Sequence, residues 1–204
     1  TDYDANARPT VERLVAGSTT YSLTQTGYDA NSADACALDT EGSFGPDRIT
    51  RTTYDDAGQV TLVQTGYGTS AQASVAMAGY TDNGRIGFVV DAESNRTTYE
   101  YDGHDRLVKT RFPVTTQGAD QSSTTDYEQL TLDGNGNVTN RRLRDGQNIA
   151  FTYDALDRAT FKDLPGSELD VSYAYDQLSR VTGASQTDRA LSFDYDALCR
   201  LTSE

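Results

Sequence analysis

The sequence lacks the residues on which most catalytic and metal sites depend. Its 204 residues include no Trp, a single His and only two Cys. One histidine excludes a multi-histidine metal site and leaves little basis for a nucleophilic triad. His104 follows Gly103 in a turn-forming stretch, which favours an exposed turn residue. The carboxylates are spread one per turn, not paired in a cleft. We therefore expect no enzyme activity, no catalytic residue, no metal ligand and no cofactor.

The cysteines and the one calcium-like segment add no site. Cys36 and Cys199 lack the spacing of metal ligands. Two unpaired thiols are favoured, and a disulfide between them stays open for an exported protein. Asp133–Asn137 superficially resembles a calcium loop. However, Val138 and Arg144 stand where an EF-hand needs Gly and Glu.

Positive charge and long apolar runs are also scarce. Lys and Arg number 17 against 31 Asp and Glu, which gives a formal net charge of −14. This charge argues against binding nucleic acid or anionic membranes through bulk electrostatics, and it favours a solubilising surface over an acidic recognition surface. No apolar run approaches the roughly 20 residues of a membrane span. No signal peptide precedes Thr1, so a localisation signal is absent or lies outside this sequence.

The sequence is rich in one short phrase. Tyr-Asp-x-x-x-Arg occurs five times, and degenerate copies begin at Tyr54, Tyr80 and Leu132. Eight copies in 204 residues predict a repeat architecture. The structural motif residues are Tyr3, Asp4, Arg8, Tyr54, Asp55, Gly58, Tyr80, Gly84, Arg85, Tyr101, Asp102, Arg106, Tyr153, Asp154, Arg158, Tyr175, Asp176, Arg180, Tyr195, Asp196 and Arg200.

Each motif position has a physical role. Asp favours the first position of a β-turn, where its carboxylate accepts backbone N–H groups. Gly58 and Gly84 suit the left-handed position that closes a type I turn with a bulge. Tyr ends the incoming strand and Arg opens the outgoing one, so the guanidinium can lie on the ring across the same hairpin. Residues 149–153, before one motif, alternate large and small side chains, which indicates a half-buried strand. The predicted fold is all-β, with repeated antiparallel hairpins in a spiralling or stacked sheet.

The array is predicted to span residues 1–204, with two irregular stretches. From Tyr54 onward most motif starts are 20–22 residues apart, and a second turn lies midway between them. Residues 28–50 begin a motif but lose its outgoing half. Either a loop replaces a strand there or a segment is missing, and we favour a missing segment. Residues 113–127 are predicted to be an exposed loop. The second turns are at 92–95, 145–146, 165–166 and 187–189.

The motif, as in Tyr99–Val108, resembles the YD repeats of Rhs proteins, of the C component of insecticidal toxin complexes and of teneurins. The resemblance covers essentially the whole chain. It implies a spiralling β-sheet closing into a hollow shell, usually around a C-terminal toxin domain, in a bacterial protein that is secreted or at the cell surface. Asp157 and Cys199 stand where family copies usually carry Gly, so we expect the turn to tolerate residues other than Gly, which weakens the argument that its geometry is strict. The family's self-cleavage region does not carry over, because Asp163–Gly166 lacks its Asp-Pro bond and is a Pro-Gly turn.

Two functions remain open at this stage. The first is a structural scaffold, part of a shell or rod that encloses or displays a toxin or effector domain. The alternative is an extracellular binding or filament-forming module that recognises carbohydrate or protein. Tyr101, Tyr153, Tyr175 and Tyr195 decide between them, because rings packed and substantially buried support the scaffold and exposed rings support recognition.

The expected partners follow from the sheet edges. They are further YD repeats in a longer polypeptide, or identical chains joined by β-edge pairing. The candidate edges are the strand at Val11–Ala16 and the segment Leu201–Glu204, neither of which is capped. An enclosed toxin domain is a further expected partner, whereas nucleic acid and a membrane span are not expected.

Overall fold

The computed structural model describes residues 1–3, 5, 7–16, 19–25 and 50–203, and all regular elements in those ranges are β-strands. The all-β prediction is therefore confirmed. Most of the irregular stretch 28–50, including Cys36, lies outside the described residues. The strands are β1 (Asp2–Tyr3), β2 (Pro9–Ala16), β3 (Thr19–Gln25), β4 (Thr50–Tyr54), β5 (Val60–Thr65), β6 (Ala73–Tyr80), β7 (Ile86–Asp91), β8 (Arg96–Tyr101), β9 (Leu107–Pro113), β10 (Ser122–Leu132), β11 (Val138–Arg142), β12 (Asn148–Tyr153), β13 (Ala159–Asp163), β14 (Val171–Tyr175), β15 (Val181–Ser185), β16 (Ala190–Ser192), β17 (Asp194–Tyr195) and β18 (Leu201–Ser203).

The chain divides into two units, residues 1–49 and 50–204. In the first unit, β1, β2 and β3 form an antiparallel sheet in that order. Val11 pairs with Asp2 on one side and with Gln25 on the other. The expectation that Val11–Ala16 is a sheet edge is therefore wrong, because β3 folds back beside β2 and makes it the central strand.

The second unit is a long antiparallel meander. Strands β4 to β16 form one 13-stranded sheet in which sequence neighbours are also hydrogen-bonded neighbours. Strands β17 and β18 form a further antiparallel pair. Between β16 and β17, the Phe193 N–H donates to the Thr182 carbonyl at 3.0 Å. Because successive strands run in opposite directions, every second connection lies at the same ends of the strands. The Tyr-Asp turns of this unit all lie at one of these two borders of the sheet, which we call the motif edge.

The sheet is a single layer with almost no core. Among the described side chains, Val90 is the one buried hydrophobic residue, with 5% exposure. The register pairs Phe151 with Lys162, and Lys162 with Val171, which lies two residues before Tyr173 in β14. With the strand alternation, this pairing places the rings of Phe151, Tyr153 and Tyr173 on one face. Most strand residues are half-buried against their neighbours in the sheet. Stability therefore depends on contacts between adjacent strands, not on packing against a second layer.

The predicted loop at 113–127 is shorter than expected. Strand β10 begins at Ser122, which pairs with Pro113 of β9. The surplus residues form a bulge in which the Ser123 hydroxyl accepts the Asp126 N–H at 2.9 Å. The polar composition of this stretch indicated a loop, but Ser and Thr are tolerated in a strand whose faces are both partly exposed.

Candidate functional site

The Tyr-Asp motif builds the same turn in each described copy that contains the Asp. In the copy at 175–180, Oδ1 of Asp176 accepts the N–H groups of Leu178 at 2.8 Å and Arg180 at 2.9 Å. The Ser179 N–H donates to the Asp176 carbonyl at 3.1 Å. The predicted capping role of Asp is thus confirmed. The same pair of carboxylate contacts occurs at Asp55, Asp102, Asp133, Asp154 and Asp196.

The third residue after the Asp is left-handed whether or not it is glycine. Gly58 and Gly84 have φ of 78° and 75°, as predicted, and Asp157 and Cys199 have φ of 58° and 60°. The expectation that the turn tolerates residues other than Gly is confirmed at Asp157 and Cys199, and both keep the left-handed conformation of the glycines. The carboxylate contacts hold the conformation in spite of a cost of about 1–2 kcal/mol for a residue with a Cβ.

Arg158 and Arg180 each bind the Asp of their own turn and the tyrosine of the next repeat. Arg158 Nε donates to Asp154 Oδ2 at 2.8 Å, and its Cζ lies 4.7 Å from the centroid of the Tyr175 ring. Arg180 repeats the arrangement, with its Cζ 4.6 Å from the centroid of the Tyr195 ring. The prediction that the guanidinium stacks on the tyrosine of its own hairpin is therefore corrected. The Asp binds the guanidinium at its Nε edge. The flat face of the guanidinium is therefore turned toward the following hairpin.

Five of the motif tyrosines also contact the preceding repeat through their hydroxyl groups. The Tyr175 hydroxyl donates to the Ala159 carbonyl at 2.7 Å, and Arg158 Nη1 donates to the Asp176 carbonyl at 3.0 Å. We use the name repeat clasp for this set of contacts. It consists of the tyrosine ring, the arginine stacked on it and the two hydrogen bonds to backbone carbonyls. The hydroxyl contact recurs at Tyr80, Tyr101, Tyr153 and Tyr195, which donate to Val60, Ile86, Val138 and Val181.

The turn carboxylates are held in the ionised form. The Arg106 side chain lowers the pKa of Asp102 to about 2. The side-chain hydrogen bond from Arg158 likewise lowers the pKa of Asp154. Burial raises the pKa of the Tyr153 hydroxyl, which keeps it a neutral hydrogen-bond donor. These groups are therefore turn caps and clasp members at neutral pH, and the geometry gives them a structural role.

Copies that depart from the motif substitute amides. Asn137 takes the arginine position and donates to Asp133 Oδ2 at 3.0 Å and to Asp157 Oδ1, in the next turn, at 2.7 Å. Asn135 also donates to Asp157 Oδ1, at 2.8 Å. These turn-to-turn bonds were not predicted from the sequence. The sequence feature that could have indicated these bonds is an Asn two or four residues after the turn Asp, together with a second Asp in the following turn.

The opposite edge uses a similar turn without tyrosine. Asp91 Oδ1 accepts the N–H groups of Glu93 and Asn95, both at 2.9 Å, and Ser94 has φ of 61°. The predicted second turns all lie in connections between strands, which confirms them.

Tyr3, Tyr54, His104 and Cys199 are exposed. Tyr3 and Tyr54 end their strands with 63% and 54% exposure. Asp4 lies outside the described residues, and Arg8 immediately precedes β2. His104 and Cys199 are exposed turn residues. In the part of the chain that the structure describes, His, Cys, Asp and Glu form no group suited to a metal ion, and no helix has the length and apolarity to cross a membrane.

The fold and the clasp define a β-hairpin repeat protein, and solved structures contain a similar fold. The chain is similar to one in the Photorhabdus luminescens Tc holotoxin pore, with 17% identity, a TM-score of 0.56 and coverage of 76% of this chain and 9% of that chain. It is similar to the TcdB2–TccC3 structure without its hypervariable C-terminal region, with 16% identity, a TM-score of 0.57 and coverage of 76% and 9%. A second TcdB2–TccC3 structure gives 15% identity, a TM-score of 0.55 and coverage of 78% and 10%.

The YD-repeat resemblance drawn from the sequence is thus confirmed at the level of the fold. The chain spans about a tenth of the length of these solved chains. No protein-family model and no curated protein sequence matches it.

Proposed function

We propose that this chain is a section of the wall of a β-repeat scaffold that encloses or displays a toxin or effector domain. The observation that carries the proposal is the repeat clasp. Its tyrosine hydroxyl contact joins five hairpins to the hairpin before them, and this is the role expected of a scaffold.

The single-layer sheet supports the same function. A sheet with one buried hydrophobic residue among its described side chains gains little from a core. Instead, each hairpin is fastened to its neighbours, as in repeat proteins whose stability is a sum of nearest-neighbour contacts. Such a structure extends in one direction and forms a surface. That property suits a wall.

The tyrosine geometry disfavours the recognition alternative. A recognition face needs rings and hydroxyls that are open to a ligand. The rings of Tyr101, Tyr153, Tyr175 and Tyr195 are half-buried, and their hydroxyls donate to carbonyls of the preceding repeat.

The proposal extends to the setting of the protein. The likeness to Tc toxin chains supports a toxin-related scaffold, and the resemblance noted in the sequence adds secretion or display at a bacterial surface. Further repeats of the same polypeptide would continue the sheet, and the enclosed domain would be its cargo.

Limited proteolysis of the native full-length protein tests this function. We expect the effector domain to resist trypsin in the wild type and to become sensitive when Tyr175→Ala and Tyr195→Ala together open the clasp. Tyr54→Ala is the matched control, because that ring is 54% exposed and should leave protection unchanged. Equal digestion of the effector domain in the wild type and the clasp variant would contradict the enclosure.

A further inference from the structure

Three leucines at the motif edge are strongly exposed. Leu156, Leu178 and Leu198 have 65%, 68% and 73% exposure, more than any other large hydrophobic side chain described. All three stand two residues after the turn Asp, so they occupy the same position in three successive turns. The four preceding copies carry small or polar residues there: Ala57, Asn83, His104 and Asn135.

The three side chains form a regular row. Successive motif turns are two strands apart, which spaces their tips by about 10 Å. The turns share one backbone conformation, since Asp157, Ser179 and Cys199 have φ of 58°, 63° and 60°. Arg158 Nη1 also joins the first turn to the second through the Asp176 carbonyl at 3.0 Å. The row is therefore preorganised, which reduces the entropy lost when a partner binds.

The row is nearly free of net charge, although the chain as a whole carries −14. Each turn Asp is paired with the Arg of the same turn, at 2.6 Å in all three turns. The remaining carboxylate, Asp157, accepts the amides of Asn135 and Asn137. A second copy of this acidic chain therefore meets little repulsion at these three tips.

We infer that this leucine row is an interaction surface for the same row on a second copy of the chain. Two rows of equal period match along their whole length, and a two-fold axis through the middle turn places Leu178 opposite Leu178 and Leu156 opposite Leu198. An extended peptide does not fit the row, because side chains on one face of a strand repeat at about 7 or 13 Å. Exposed apolar patches of this kind mark interaction sites.

This inference is independent of the proposed function and concerns the edge of the sheet, not its role as a wall. Sedimentation velocity of the 204-residue chain over a range of concentrations, with a thiol reductant to exclude disulfides, tests it. We expect a concentration-dependent dimer. Leu178→Asn should weaken the dimer about tenfold or more, the amount expected from exposing buried leucine surface, and the triple Leu156→Asn, Leu178→Asn, Leu198→Asn variant should be monomeric.

Asparagine is the suitable replacement because the copies at Asn83 and Asn135 already carry it at this position. The control is His104→Asn, the equivalent position in a turn outside the row, which should dimerise like the wild type. Circular dichroism checks that each variant is folded. A wild type that remains monomeric at all concentrations, or a dimer that persists in the folded triple variant, would overturn the inference.

Discussion

The repeat clasp predicts that the energetic coupling between arginine and tyrosine runs between repeats and not within a hairpin. The perturbation is a pair of double-mutant cycles that share Arg158→Ala. One cycle combines it with Tyr175→Ala, the tyrosine of the next repeat, and the other with Tyr153→Ala, the tyrosine of the same hairpin. Of these two rings, that of Tyr175 lies under the Arg158 guanidinium, with 4.7 Å between Cζ and the ring centroid.

The expected magnitudes follow from the contacts. Removing a fully packed aromatic ring costs about 3–5 kcal/mol, and Tyr175 is half-buried, so the ring should contribute about half of that. Its hydroxyl bond to the Ala159 carbonyl, at 2.7 Å, adds about 1 kcal/mol. We therefore expect Tyr175→Ala to reduce the free energy of unfolding by about 2.5–3.5 kcal/mol. The coupling between Arg158 and Tyr175 should be about 0.5–1 kcal/mol, the range of a partly exposed cation–ring contact.

Urea unfolding of the wild type, the single variants and the double variants, followed by circular dichroism, measures both cycles. Tyr153→Ala is a matched control, because its hydroxyl makes the same carbonyl contact, to Val138 at 2.9 Å, while Asn137 stands where a preceding arginine would stack. We expect a coupling near zero for Arg158 with Tyr153. Coupling that is larger within the hairpin than between repeats would refute the clasp.

Two further predictions concern local packing and acid stability. Gly79→Ala should destabilise the sheet by about 1–3 kcal/mol in urea unfolding, because an added Cβ would lie 2.1 Å from the Phe88 ring. Gly87→Ala is the control, since its nearest neighbour would be 3.5 Å away, and an equal loss in both variants would show that the ring contact is not the cause. The Arg106 contact lowers the folded-state pKa of Asp102 to about 2, below its value of 3.8 in the unfolded chain. The stability from this pair is therefore complete above about pH 4 and is lost as the pH falls toward 2, so the urea midpoint should fall over that window. Asp102→Asn should flatten this pH dependence, and an unchanged slope would contradict it.

The local parts of the fold were predictable because they depend on residues close together in the chain. An Asp followed three residues later by a glycine specifies the capped, left-handed turn, and the period of two before Tyr153 specifies the strand. The same turn at Asp157 and Cys199 shows that the carboxylate contacts determine the conformation more than the glycine does. The Asp at the start of the turn was therefore a better predictor of the turn conformation than the presence of glycine at the left-handed position.

The contacts between repeats were not predictable from one motif copy. The partner of Arg158 is Tyr175, 17 residues further along the chain, and its selection depends on how the Asp154 carboxylate orients the guanidinium. A sequence shows that Tyr and Arg flank a turn, but it does not show which neighbouring ring the arginine contacts. The polar stretch around Ser122 was missed for a related reason. In a sheet with almost no core, strand residues need not be apolar. The alternation of apolar and polar residues is therefore a weaker predictor of strands here.

The clasp also explains how the sheet tolerates imperfect repeats. Because each fastening involves only adjacent turns, losing one member weakens one junction and leaves the others unaffected. At the junction after Leu132, Asn137 replaces the arginine and cannot stack on Tyr153. The Tyr153 hydroxyl bond remains, and the amides of Asn135 and Asn137 reach Asp157 in the next turn. Amide bridges thus substitute for the cation–ring contact at the edge where it is missing. A wall assembled from such junctions can vary in the sequence of each repeat while it keeps one continuous sheet, which is the property that a long enclosing scaffold requires.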